Sequence, residues 1–372
     1  TVGSGDITID KEGIYVLGGT AENVTVYVDA GSEDKVQLVL DGLSISNSEK
    51  PCIYVKSADK VFITSVSDNS LSTSGTFSAD GDTNTDAVIF SKDDLVLNGT
   101  GSLSIKSSDN GIAGKDSVKI TGGYISIECE GSAVEAHDSI LIAQGVLDIT
   151  KCNDGLHADD DDDDSAGYIY IGGGSMNITA KDDAVHATTI VRIDNGKLSL
   201  SAHEGIEGTA IQVNDGTVEI SASDDGINAA RKSSALSPVF EMNGGTVTIT
   251  MAAGDTDGVD SNGDIIINGG TISISGQSTF DCDGNAQYNG GTIIENGKET
   301  NTITNQMMGG PGNMGGMRPD GEKGGMMPGG GSGNGGGRPA MQGQDGMPPE
   351  PPADGGGQMR EKGGRRMENA TQ

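Results

Sequence analysis

Apolar and polar residues alternate through most of the first 300 residues, in short bursts closed by glycine. "GTVEISA" and "GGTVTITM" are typical: every second side chain is apolar, which gives a strand with one buried face. The closing turns read "TGGY", "AQGV", "GGGS", "DNGK", "NDGT" and then "NGGT". Glycine reaches positive φ without strain, so it suits a tight corner used again and again.

The bursts belong to a longer repeat. "DNGIAG", "GSAVEA", "NDGLHA", "DDAVHA", "HEGIEG", "DDGINA" and "TDGVDS" share an apolar anchor at Ile112, Val134, Leu156, Val185, Ile206, Ile227 and Val259. The anchors recur every 21–22 residues except where the Asp159–Asp164 run and the Arg231–Pro238 segment are inserted. That is a solenoid period. Each repeat holds three short strands and three corners, and the leucines and helix of a leucine-rich repeat are missing. The expected fold is therefore all-β, a right-handed parallel β-helix of about 21–22 residues per coil, the hand following the bias of parallel crossovers. Interior columns fit it: Ile120, Ile142, Ile171, Ile193, Val213, Met242, Ile267, and Ile105, Ile127, Ile149, Ile178, Leu200, Ile220, Ile249, Ile274. A small column holds Cys129, Ala180, Ala202 and Ala222, with Lys151 out of character. Asn214, Asn243, Asn268 and Asn289 form a corner column suited to amide stacking.

Composition divides the chain. Residues 1–300 are read as the β-helix, with irregular capping coils in 1–50, and 301–372 as a disordered tail. The tail holds eight of the ten prolines and ten of the thirteen methionines, which suit a linker or a soft-metal site. The formal net charge is −32, from 23 basic against 55 acidic residues, and the tail is charge-balanced, so the excess lies in the body. Such a surface excludes nucleic acid and anionic membrane as partners and favours cations. No stretch is long and apolar enough to span a bilayer, and the chain type points to an extracellular or cell-surface location, with attachment to the cell surface. Cys129 and Cys152 lie on adjacent coils, as a disulfide or as buried thiols.

The chemistry gathers at one edge. Asp154, Asp182, Asp183, Glu204, Asp224, Asp225, Asp255 and Asp257 precede the anchors. Glu135, His157, His186, Glu207, Asn228 and Asp260 follow them, all expected to point outward. Carboxylates one coil apart, about 4.8 Å, repel by roughly 3–4 kcal/mol at an effective dielectric of about 20. Either the edge is merely solvated or it holds a divalent cation. Calcium suits a columnar set of hard oxygens, with Asp159 and Asp160 of the aspartate run adding more. The stacked His157 and His186 raise zinc as another ion. On the second strand Tyr168, Tyr170, Arg192 and Gln212 make a sugar-binding set, or an ordinary exposed strand. There is no Trp, so any glycan is held by hydrogen bonds, a few Tyr and bridging cations.

"DDGIN", "NDGLHADD" and "DDAVHA", separated by "NGGT" turns and followed by a Gly/Met/Pro-rich end, resemble the secreted carbohydrate-binding β-helix family of clostridia and related bacteria, over roughly residues 35–297. The resemblance implies a polysaccharide-lyase-like fold, calcium bound at Asp154, Asp182, Asp183, Asp224, Asp225 and Asp257, and a polysaccharide partner such as polygalacturonate or cellulose. Ser132 and Glu204 depart from the aspartate pattern. Three functions follow. The first is a non-catalytic, calcium-dependent binder of plant cell-wall polysaccharide. The second is a pectate-lyase-like enzyme, whose base would come from Lys151, Lys181, Arg231 or Lys232. The third is a structural spacer or adhesin. Nothing in the sequence marks a base, which favours binding.

Overall fold

The structure is a computed structural model that describes residues 5–160, 163–254 and 256–304. It is a parallel β-solenoid of about 12 turns. Each strand pairs with the equivalent strands one coil above and below, from Ile7–Ile9 on Val26–Asp29 to Thr271–Ser275 under Thr292–Glu295. An antiparallel hairpin of Thr292–Glu295 and Lys298–Thr300 closes the stack. The tail expected from composition lies outside the described residues from 305 onward, and so does Asp255 of the expected acidic edge.

The observed register joins the columns expected from the sequence. Ile120, Ile142, Ile171, Ile193, Val213, Met242 and Ile267 follow one another. So do Ile105, Ile127, Ile149, Ile178, Leu200, Ile220, Ile249 and Ile274. Nearly all of these side chains are fully buried, each stabilising the fold by about 1.5–3 kcal/mol. Glycines at the repeated corner, Gly123 to Gly291, hold φ between 73° and 120°. At Gly216 a Cβ would also fall 2.8 Å from the Gly196 carbonyl oxygen, so the corner excludes side chains twice over.

Lys151 is explained by a β-bulge. The strand Val146–Cys152 slips register after Ile149, so that Cys152 opposes Ala180 and takes the small interior place. Thr150 and Lys151 span the bulge, both exposed, and Lys151 pairs with Glu130. All four cysteines are buried free thiols, which settles the Cys129–Cys152 alternative.

One face positions the chemistry. Its inward column is the anchors, Ile112 to Val259. The next residue of each strand forms an outer column whose character changes along the axis. Tyr27, Tyr54 and Phe90 come first, then Ala113 and Glu135, then His157 and His186. Glu207, Asn228, Asp260 and Asp281 complete it.

Candidate functional site

The two insertions converge beside the middle of this column. Ser233 Oγ of the later segment donates to Asp164 Oδ1 of the earlier one, 2.7 Å away. Beneath them the corner threonines tie neighbouring coils together: Thr209 Oγ1 donates to Thr188 O, and Thr188 Oγ1 donates to Asp159 Oδ1. Thr209 Oγ1 accepts from the amides of Lys232 and Ser233. These contacts carry Lys232 onto Glu207, with Nζ and Oε1 2.6 Å apart.

Glu207 is one corner of a compact group. His186 Nδ1 lies 2.8 Å from both Asp183 Oδ2 and Glu207 Oε2. Asp183, His186 and Glu207 each present a ligand atom within 4.8 Å of the others, a set able to hold a metal ion. Burial pushes the His186 imidazole down, but its bonds to Asp183 and Glu207 outweigh this and hold it at about 9. Burial also pushes Glu207 up, and the His186 and Lys232 bonds more than reverse it. Glu207 therefore faces one imidazolium and one ammonium, while burial, partly offset by the His186 bond, pushes Asp183 up. A metal ion entering here has to displace these positive charges.

Toward the N-terminal side, the His157 ring meets the His186 ring edge to face at 4.7 Å. His157 Nδ1 lies 3.4 Å from Ser132 Oγ and 3.7 Å from Asp154 Oδ2. So Ser132, which departs from the aspartate pattern, has a polar role.

Toward the C-terminal side the balance is different. Asp225 and Asp257 precede their anchors, and Asn228 and Asp260 follow them. Asp225 Oδ1 accepts from the Asp257 amide at 3.1 Å. Burial, then neighbouring aspartates, push Asp225 up to about 6 and Asp260 up to about 7. Glu204 is pushed to about 8 by burial and by Glu207. Asn228 Nδ2 donates to Glu204 Oε2 at 3.1 Å, while its buried Oδ1 has no hydrogen-bond partner. This is an all-oxygen group with mutually repelling carboxyls and an orphaned carbonyl oxygen, the donor chemistry of a hard cation.

The expectation that every acid faces solvent is corrected. Asp183 and Glu207 are only 8% and 6% exposed, because they pack against each other, His186 and the Lys232 segment. The paired aspartates also separate. Asp183 and Asp225 turn into the site, whereas Asp182 and Asp224 stand one place earlier, and Asp182 is exposed. Asp154 does join the site edge, accepting from the Asp183 amide at 3.2 Å. Asp159 is engaged by Thr188, and Asp160 accepts from the Asp163 amide.

The second-strand set is brought together but is not an open sugar surface. Tyr170, Arg192 and Gln212 stack in one column. Tyr170 Oη and both the Nε and Nη2 of Arg192 bind Asp194 at 2.8–3.0 Å. Gln212, expected outward, is 8% exposed and donates to Glu241. Tyr168 opposes Ser139 on the same strand pair.

Comparison with known proteins agrees with the fold. A family model described as carbohydrate-binding domain-containing protein matches residues 4–257 and 208–301. A protein of that description from Acetivibrio thermocellus is 35% identical over 206 residues, 54% of this chain and 72% of that protein. The solved structure of a polysaccharide lyase-like protein from C. thermocellum, a gadolinium derivative, superposes with a TM-score of 0.53 at 32% identity. The match covers 59% of this chain and 89% of that one.

Proposed function

The chain belongs to the carbohydrate-binding domain family, and from that premise we propose that it binds an acidic plant cell-wall polysaccharide, polygalacturonate by its chemistry, through calcium, outside the cell or at its surface, without cleaving it. The observation that carries the calcium is the group Asp225, Asn228, Asp257 and Asp260. Burial and neighbouring aspartates push Asp225 and Asp260 up, and the buried Asn228 Oδ1 is orphaned. These residues, with Glu204 beside them, would hold the ion, and bound calcium would supply open coordination positions for sugar carboxylates and hydroxyls. The relative solved as a gadolinium derivative supports a hard ion. The Asp183–His186–Glu207 group is the softer alternative, already neutralised from within.

The state of Lys232 and Lys151 supports binding without cleavage. Eliminative cleavage needs a neutral base beside the sugar's acidic C–H. Lys232 is the candidate amine that reaches the site, and its bond to Glu207 outweighs burial and raises it above the ordinary lysine value. It stays an ammonium and cannot take a proton. Lys151 is turned away on Glu130.

Retention on polygalacturonate, measured with calcium and with chelator, tests the reading. Binding that calcium strengthens and that produces no unsaturated uronate absorbance supports it. Steady growth of that absorbance, abolished by Lys232→Met, would make the chain a lyase. Equal retention in both conditions would remove calcium from the account.

A further inference from the structure

The aromatic start of the outer column carries a second ladder beside it. The amides of Lys92, Lys115 and His137 donate to the carbonyls of Val55, Ser91 and Gly114, which stacks Lys56, Lys92, Lys115 and His137 on successive coils. The same column continues with Asp159, whose amide donates to Ala136 O. In a chain of net charge −32, three lysines in a row are a local reversal of sign.

The rings hold the lysines in place. Tyr27, Tyr54 and Phe90 pack with centroids 5.7 and 5.5 Å apart, and Tyr54 and Phe90 are buried. Lys56 Nζ sits 5.0 Å from the Tyr27 ring and 5.1 Å from that of Tyr54. Lys92 lies 6.0 Å from Tyr54, and Lys115 5.9 Å from Phe90. Each ammonium group thus sits within 6.0 Å of an aromatic ring, on successive coils. Stacked like charges repel, so the ladder needs anions.

The protein supplies some of them. Asp80, from the segment between the strands Asp68–Thr73 and Ala87–Ser91, places its carboxylate 2.8 Å from Lys56 Nζ and accepts from Tyr54 Oη at 3.2 Å. Glu135 lies 3.8 Å from Lys115. The middle member, Lys92, has no ion-pair partner among the described residues. The ladder thus already grips one carboxylate brought by a loop, and has a place for another.

We propose that Lys56, Lys92 and Lys115, framed by the half-buried Tyr27, form a metal-independent subsite for the carboxylates of an acidic saccharide. A polyuronate presents one carboxylate per sugar, so a chain lying along the solenoid axis meets direct ammonium contacts at the N-terminal end. It then meets the acidic group farther down, where only a cation can join it to the protein. The proposal rests on the preceding section in taking the ligand to be a polysaccharide, but it does not need calcium.

The test measures binding of an oligogalacturonate and of a neutral cello-oligosaccharide to the full chain in excess chelator. The wild type is expected to keep a chelator-resistant affinity for the oligogalacturonate alone, weakening as salt rises. Lys92→Gln should lower that affinity about tenfold, while Lys92→Arg largely retains it, which separates charge from packing. Asp225→Asn with Asp257→Asn should leave it intact and remove only the gain that calcium adds. No oligogalacturonate binding in chelator, or unchanged binding by Lys92→Gln, overturns the subsite whether or not calcium-dependent binding is seen. Chelator-resistant binding lost in Lys92→Gln, with no gain from calcium, leaves the subsite standing and removes the calcium bridge instead.

Discussion

Lys232 donates to Glu207, Nζ to Oε1 at 2.6 Å, from a segment inserted one coil further along the chain. The ammonium stands where a metal cation would otherwise neutralise Glu207. Lys232→Met should therefore cost about 1–2 kcal/mol in chelator, less than a fully buried pair because the lysine side chain is 35% exposed. It should also enlarge the stabilisation that calcium brings. Urea unfolding with and without calcium reads both effects. A smaller calcium response in the variant would mean that Lys232 helps to seat the ion.

The carboxyl pairs make stability depend on pH in a definite direction. Burial and neighbouring acids raise Glu204 from 4.5 to about 8, Asp225 from 3.8 to about 6 and Asp260 from 3.8 to about 7. A raised carboxyl stabilises the fold fully below its unfolded value, and the contribution fades as pH climbs through the folded value. His186, raised from 6.5 to about 9, acts in the same direction at the upper end. Glu207, held low, acts oppositely and loses its contribution only as pH falls through its folded value. In chelator the melting temperature should fall from about pH 5 to about pH 9, and calcium should flatten the slope by replacing the missing protons. A level profile in chelator would show that these acids titrate as free ones do.

Much of this was legible because the repeat makes neighbours of distant residues. The anchors, the interior isoleucines and the Glu135–His157–His186–Glu207 column follow from spacing alone, since one residue of offset in a strand means the opposite face. Which of two adjacent aspartates enters the site did not follow. Asp182 and Asp183 differ by half a pleat, and that phase is set by corner geometry rather than composition. The contact of Lys232 with Glu207 was hidden by the inserted segment, whose path depends on Thr209 and Ser233. The aromatic ladder was hidden for a related reason. Tyr27, Tyr54 and Phe90 each follow an apolar anchor, as His157 does, but irregular spacing masked the repeat there.

Amides bind the corners from coil to coil. Asn289 donates to Asn268, Asn268 to Asn243 and Asn243 to Asn214, at 2.7–2.8 Å, and Asn214 donates to Asp194. Asn243→Ala breaks two of these links and should cost about 1–2 kcal/mol. Asn195→Ala, at an exposed corner outside the ladder, is the control. Equal urea midpoints for the two variants would make the ladder decorative.

The end of the solenoid depends on where the chain is cut. Lys298–Thr300 pairs with Thr292–Glu295 and caps the last parallel strand, whose Ile293 is fully buried. Ile303 packs against the core, and the Thr304 amide reaches Glu295 Oε1 at 3.4 Å. A chain ending at Thr304 keeps all of these contacts and should unfold at the same urea concentration as the full chain, with the same calcium response. A chain ending at Gly297 loses the hairpin partner, exposes apolar surface worth about 1–3 kcal/mol and leaves an open strand edge. It should unfold earlier and self-associate, which sedimentation velocity detects. An early transition already in the chain ending at Thr304 would show that residues 305–372 contribute to the fold.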